Sequence, residues 1–135
     1  MVSFSGFVRT DNAPVYIQII QFIERGIAAG SILSGDELPS RRVLSALLGV
    51  NPNTIQKAYR MLEEEGLIQS HSGAKSYVSV SPEQREKIRE QLLCDDVRQL
   101  IQALRQSGVE KPEALALVER LWDEWDETGG KDGIL

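Results

Sequence analysis

The sequence predicts a mainly α-helical fold carrying a small β-hairpin, and three patterns predict it. Apolar residues recur at helical spacing in stretches that open on proline or a small polar residue and close near glycine. Two short runs, 67–70 and 76–80, read as strands. Beyond Ser81-Pro82 come two longer amphipathic stretches whose apolar stripes are too wide for a pair of helices to enclose by themselves.

Residues 1–13 read as a short arm, with Phe4 and Phe7 expected to pack on the body. Pro14 opens the first helix, in which Tyr16, Ile19, Ile20, Ile23 and Ile27 form a stripe that runs until Gly30. The stretch SILSGDELPS (31–40) reads as a turn-rich connection ending in Ser40, an N-cap for the next helix. That short helix offers apolar Val43, Leu44, Leu47 and Leu48 and ends at Gly49, which tolerates the positive φ of a turn. Asn51-Pro52 starts another helix, an N-cap followed by a ring whose fixed φ suits the first helical position. Its apolar side is Ile55, Ala58, Tyr59 and Leu62, and Gly66 stops it after Glu63-Glu64-Glu65. The two strand runs then enclose His71-Ser72-Gly73-Ala74-Lys75 as a hairpin tip. Three helices and a hairpin in this order describe a winged helix-turn-helix.

Ser81 and Gln84 have capping-box spacing, and Pro82 suits the first position of a helix expected to run to about Ser107. Leu93, Val97, Leu100 and Leu104 form its main stripe, widened by Ile88, Leu92 and Ile101. Pro112 opens a last helix with Leu115, Val118, Leu121, Trp122 and Trp125 on one side. These stripes need a partner, and a second copy of the chain is the simplest one. The expected organisation is therefore a winged helix-turn-helix unit over 1–80, including the arm, and a helical dimerisation segment over 81–135.

Composition narrows the function classes. A hydrophobic content of 41% supports a core. The sequence has no long apolar run and no basic-then-apolar leader, so neither a membrane span nor a secretory signal is expected. One cysteine, Cys94, excludes an internal disulfide framework and suits a reducing cytoplasm. The net charge of −5 looks wrong for a DNA binder, but it is segregated. Residues 1–80 hold seven Lys/Arg and seven Asp/Glu, whereas 81–135 hold eight and thirteen. In the first part the acids, Asp36-Glu37 and Glu63-Glu64-Glu65, are expected to lie away from the contact residues.

The chemistry lies on the helix that starts at Pro52. Opposite its apolar side stand Asn53, Thr54, Gln56, Lys57 and Arg60, hydrogen-bonding groups and cations of the kind that base edges and phosphates require. Asparagine and glutamine favour adenine through paired hydrogen bonds. Arg41 and Arg42, beside Ser40, sit in a first helical turn where the dipole disfavours cations, which favours a phosphate role for at least Arg42. Lys75 offers a further cation at the hairpin. His71 and Cys94 lack partners at metal-ligand spacing, and no nucleophile–base pair or cofactor motif stands out. Neither an enzyme nor a metal or other cofactor is expected. GAKS at 73–76 lacks the upstream glycine and following helix of a phosphate loop.

PVYIQIIQFIERGIAAGSILSGDELPS and RRVLSALLGVNPNTIQKAYRMLEEEGLI together resemble the GntR family of bacterial transcription regulators, in particular its short YtrA-like branch. The resemblance covers roughly residues 13–80, and the tail matches the branch by length and pattern. It implies a winged-helix DNA-binding domain in a homodimer on a palindromic double-stranded DNA operator, and the role expected of such a protein is that of a repressor that occludes RNA polymerase. By position it puts Arg42 on the arginine of the PSxR motif, and Asn51, Asn53, Thr54 and Gln56 on the recognition-helix contacts. Gly73 falls on the wing-tip glycine. The wing departs from the family's arginine-glycine-any-glycine-threonine pattern, reading Ser72-Gly73-Ala74-Lys75-Ser76, so Lys75 and His71 are left to supply its contacts. The rival reading is a winged-helix module that binds protein instead of DNA, favoured by the zero net charge of 1–80. About fifty residues follow the hairpin, too few to enclose a sizeable ligand pocket in one subunit. A small-molecule effector would have to sit at the dimer interface or near Ser81.

Overall fold

Helix α1 (Val15–Ala29) follows Pro14, and Gly30, at φ 83°, turns the chain out of it. In the computed structural model, which describes residues 1–71 and 75–129, it is followed by β1 (Glu37–Leu38), α2 (Arg41–Leu48) and α3 (Pro52–Glu64). Strands β2 (Ile68–His71) and β3 (Lys75–Val78) come next, then α4 (Pro82–Gln106) and α5 (Lys111–Thr128). The result is a mainly helical fold with a small antiparallel sheet of order β1-β3-β2.

Local chemistry sets the ends of these elements. The Ser40 hydroxyl accepts from the Val43 N–H at 3.2 Å, and the Asn51 side chain accepts from the Asn53 N–H at 2.8 Å. Gly49 takes φ 66° between α2 and α3, so the turn needs no strain from a Cβ. Ser81 and Gln84 cap α4 reciprocally, each side-chain oxygen accepting the other's N–H, at 2.8 and 3.1 Å.

Ile19, Ile23 and Ile27 of α1 meet Leu44 of α2 and Ile55, Ala58, Tyr59 and Leu62 of α3 in a core closed by Leu38, Leu67, Ile68 and Val78. The arm seals one side of it. Val2 donates to the Glu37 carbonyl at 2.8 Å, and the Phe4 ring stacks on Phe22 at 5.0 Å. Phe7 meets Phe22 edge-on at 5.6 Å. Buried Gln18 ties the arm to α1, donating to the Thr10 and Ala13 carbonyls and accepting from the Thr10 N–H.

Four expectations need correction. The 31–40 connection contains a third strand: β1 pairs with β3 through Glu37 opposite Tyr77 and Leu38 opposite Ser76. Two residues are too short a run to show a period. The hairpin ladder reaches further than expected, so His71 and Lys75 pair across it instead of forming the tip; Ser72–Ala74, and Gly73 with them, lie outside the described residues. In α2, Leu44 is buried and Leu48 packs on the core, but Val43 and Leu47 are 49% and 66% exposed. They stand on the neighbouring row of an eight-residue helix with only one face on the core. Ile88, expected on the tail's stripe, packs against the core of the N-terminal unit instead.

The chain divides into two compact units, with the division inside α4 after Leu92. The first turns of α4 belong to the N-terminal unit because they are bonded to it. Arg85 donates to the Ile27 carbonyl at 3.0 Å, which also accepts from the Gly30 N–H, and to that of Ala28 at 3.4 Å, so it adds partners to the C-terminal carbonyls of α1. Gln84 donates to the Gly66 carbonyl at 3.4 Å. Among the described residues, no helix is long and apolar enough to cross a membrane.

Candidate nucleic-acid interface

Burial of Ile55, Ala58, Tyr59 and Leu62 turns the other side of α3 outward. Asn53, Gln56, Lys57 and Arg60 are exposed on it and Thr54 is half-buried. The Asn53 and Gln56 side-chain amides have no hydrogen-bond partner among the described residues, so both keep a donor and an acceptor for a ligand. The Asn51 side-chain oxygen is engaged in its cap, which leaves its amide nitrogen to donate. Lys57 lies with its Nζ 4.0 Å from the centre of the Tyr16 ring, which pre-orients its long stem at the α1–α3 edge. Arg60 is 3.8 Å from Glu64, but with both side chains mostly exposed the pair is weak and easily exchanged for a phosphate.

The two arginines that begin α2 are not equivalent. Arg42 is exposed, whereas Arg41 turns inward to an ion pair of 3.2 Å with Glu63 and lies 5.3 Å from the Tyr59 ring centre. Glu63 and Glu64 therefore lie against Arg41 and Arg60, not away from the expected contact residues. In the sequence, Glu63 is indistinguishable from its two neighbours, and only the folded contact separates it. Ser40 is exposed, with its oxygen engaged in the cap. His71 and Lys75 stand opposite each other, both exposed, at the last described pair of the wing, and the His71 ring meets Tyr77 edge-on at 5.2 Å.

Tyr59 holds the unit together beneath this surface. Its hydroxyl donates to the Pro39 carbonyl at 2.6 Å, tying α3 to the residue before the α2 cap. Burial pushes this hydroxyl well above the usual phenol range, and the Arg41 guanidinium opposes that in part. Among the described residues, no group of three His, Cys, Asp or Glu side chains is placed to hold a metal ion.

An exposed amide-and-cation helix beside an antiparallel wing is the arrangement of a major-groove reader. The sequence model of the bacterial regulatory proteins of the gntR family matches residues 15–78, from α1 to the end of β3. The HTH-type transcriptional repressor YtrA of Bacillus subtilis is 37% identical over 105 residues, covering 73% of this chain and 77% of that protein. This chain belongs to the GntR family.

Two solved structures bear the same relation to this GntR protein. A GntR family transcriptional regulator from Listeria monocytogenes superposes with a TM-score of 0.73 at 31% identity, covering 83% of this chain and 98% of that one. YtrA from Sulfolobus acidocaldarius, a GntR-family transcription factor, gives 0.54 at 33% identity over 73% of this chain and 99% of that one. The likeness is thus to YtrA-type members, and the protein is a DNA-binding transcriptional regulator, not an enzyme.

The C-terminal unit of this regulator presents a second candidate surface. Leu93, Val97, Leu100, Leu115, Val118, Leu121, Trp122 and Trp125 are all exposed, and Leu104 is half-buried. Trp122 alone is 68% exposed. Leu100, Leu104, Val118, Leu121 and both tryptophans help line a groove of about 490 Å³. Exposed apolar side chains gathered along one groove mark a candidate interaction site.

Proposed function

We propose that this regulator is a repressor that binds a palindromic operator as a homodimer and blocks access of RNA polymerase to a promoter. The observation that carries the reading is the outward side of α3, where the amides of Asn53 and Gln56 stand exposed together with the cations of Lys57 and Arg60. Residues 1–80 act as the DNA-binding domain and 81–135 as the dimerisation segment. Each subunit lays α3 in a major groove, with Asn51, Asn53, Thr54 and Gln56 toward base edges and A·T pairs preferred at the amide contacts. Arg42, Lys57, Arg60 and Lys75, with Ser40, His71 and Gly73, complete the DNA-facing set and fix the register through phosphates.

The repressor name of the Bacillus subtilis relative supports the direction of control, and the exposed tryptophan face supports the dimer. Two-fold symmetry then places half-sites about one helical turn, ~34 Å, or a multiple of it apart. The groove lined by Trp122 and Trp125 is where an effector would meet the dimer contact, and the cytoplasm is where the regulator works.

Footprinting on the chromosomal DNA upstream of the coding sequence, followed by gel shifts on the protected duplex, tests the reading. A two-fold symmetric footprint is expected. Arg42→Ala and Asn53→Ala should each weaken binding by roughly 1–3 kcal/mol. Unchanged affinity in both variants overturns the assignment of α3 as reader.

A further inference from the structure

Three elements make up the DNA-facing side, and one carboxylate joins them. Glu63, in the last turn of α3, accepts from the Arg41 guanidinium of α2 at 3.2 Å. The same oxygen accepts from the Ser70 hydroxyl of β2. Ser70 stands opposite Ser76, whose hydroxyl is 3.2 Å from its own, so the chain of polar contacts runs on into β3. Arg41 is held from both sides, by Glu63 and by the Tyr59 ring, and its buried Nε has no hydrogen-bond partner. Its side chain is only 24% exposed.

We propose that Glu63 is a positioning residue that sets the spacing of α2, the reader helix and the wing, and that Arg41 serves this strut instead of a DNA phosphate. A carboxylate close to a polyanion opposes binding by charge alone. Whatever Glu63 contributes to recognition must therefore come through orientation, and orientation matters only for a duplex that α3 and the wing engage together. Glu64 and Glu65, both exposed, lack this double contact among the described residues and serve as controls. The inference rests on the reading that α3 and the wing meet DNA.

The two contributions have opposite signs, which makes them separable. The probes are a duplex selected from a randomised library by the wild-type protein and a scrambled duplex of the same length. Glu63→Ala should bind the selected duplex about tenfold more weakly, yet bind the scrambled one equally or up to about threefold more tightly. Ser70→Ala removes one contact from an exposed strand position without threatening the core. It should weaken selected binding by roughly threefold, and add nothing once Glu63 is alanine.

Equal weakening on both duplexes, no weakening on the selected one, or independent losses in the double variant overturns the proposal. If Glu63→Ala does not fold, the Ser70→Ala ratio of selected to scrambled binding decides alone. Asn53→Ala separates this failure from that of the parent reading. Loss with Asn53→Ala beside inert Glu63 and Ser70 variants sinks only the strut, whereas an inert Asn53→Ala sinks the reader helix.

Discussion

Replacing Tyr59 by phenylalanine removes one oxygen atom from the core of the N-terminal unit, and its consequences follow from the geometry. The ring is completely buried, and its hydroxyl meets the buried Pro39 carbonyl at 2.6 Å. The variant keeps the ring and its packing but strands that carbonyl, a cost of about 1–3 kcal/mol. For a unit of this size each kcal/mol lowers the melting temperature by roughly 4–8 °C. Raising the pH should then shrink the difference. Burial holds the Tyr59 proton in the folded chain, so above pH ~10 the unfolded chain ionises this phenol while the folded one does not. Stability from the protonated group is complete below the unfolded value and is lost as the pH climbs toward the raised folded value, by about 1.4 kcal/mol at pH 11. Phenylalanine has no such titration, and the other groups cancel between the two proteins. Urea unfolding followed by circular dichroism at pH 7 and pH 11 measures both quantities. A gap below about 0.5 kcal/mol at pH 7, or one that does not narrow with pH, would falsify the account.

Other perturbations test other links. Gly26→Ala puts a methyl carbon 2.3 Å from Ile32 Cδ1 and 2.6 Å from Cγ1. The overpacking, about 1–3 kcal/mol, should therefore outweigh the helix-propensity gain of ~1 kcal/mol, and thermal melting should show net destabilisation. Ser40→Ala loses the α2 cap and should cost about 1 kcal/mol in the same assay. Lys75→Ala should lower the slope of log affinity against log salt by about 0.9 for each phosphate lost, read from gel shifts at several salt concentrations. Leu121→Asp charges the exposed tryptophan face, and sedimentation velocity should find the wild type as a dimer and the variant as a monomer; a variant that sediments like the wild type would remove this face from the interface.

Much of this protein was legible one element at a time, because its ends and faces are set by neighbours in sequence. The Ser40, Asn51 and Ser81–Gln84 caps each join groups no more than three residues apart, so residue type and spacing sufficed to find them. The same holds for the outward side of α3: once Ile55, Ala58, Tyr59 and Leu62 are buried, helical period alone leaves Asn53, Gln56, Lys57 and Arg60 outside. The family resemblance supplied the order in which these pieces are assembled.

Contacts between distant residues were decided only by the tertiary structure. Glu37–Leu38 becomes a strand because β3 presents an edge to it, not because two residues carry a strand period. Arg41 and Arg42 are adjacent and chemically identical, yet one is drawn to Glu63 and Tyr59 while the other faces solvent. Val43 and Leu47 are as apolar as Leu44 but fall on a row of α2 that the described residues leave about half exposed or more. Sequence fixes what a side chain is able to do within a turn of its own helix; which partner it finds depends on where the rest of the chain is packed.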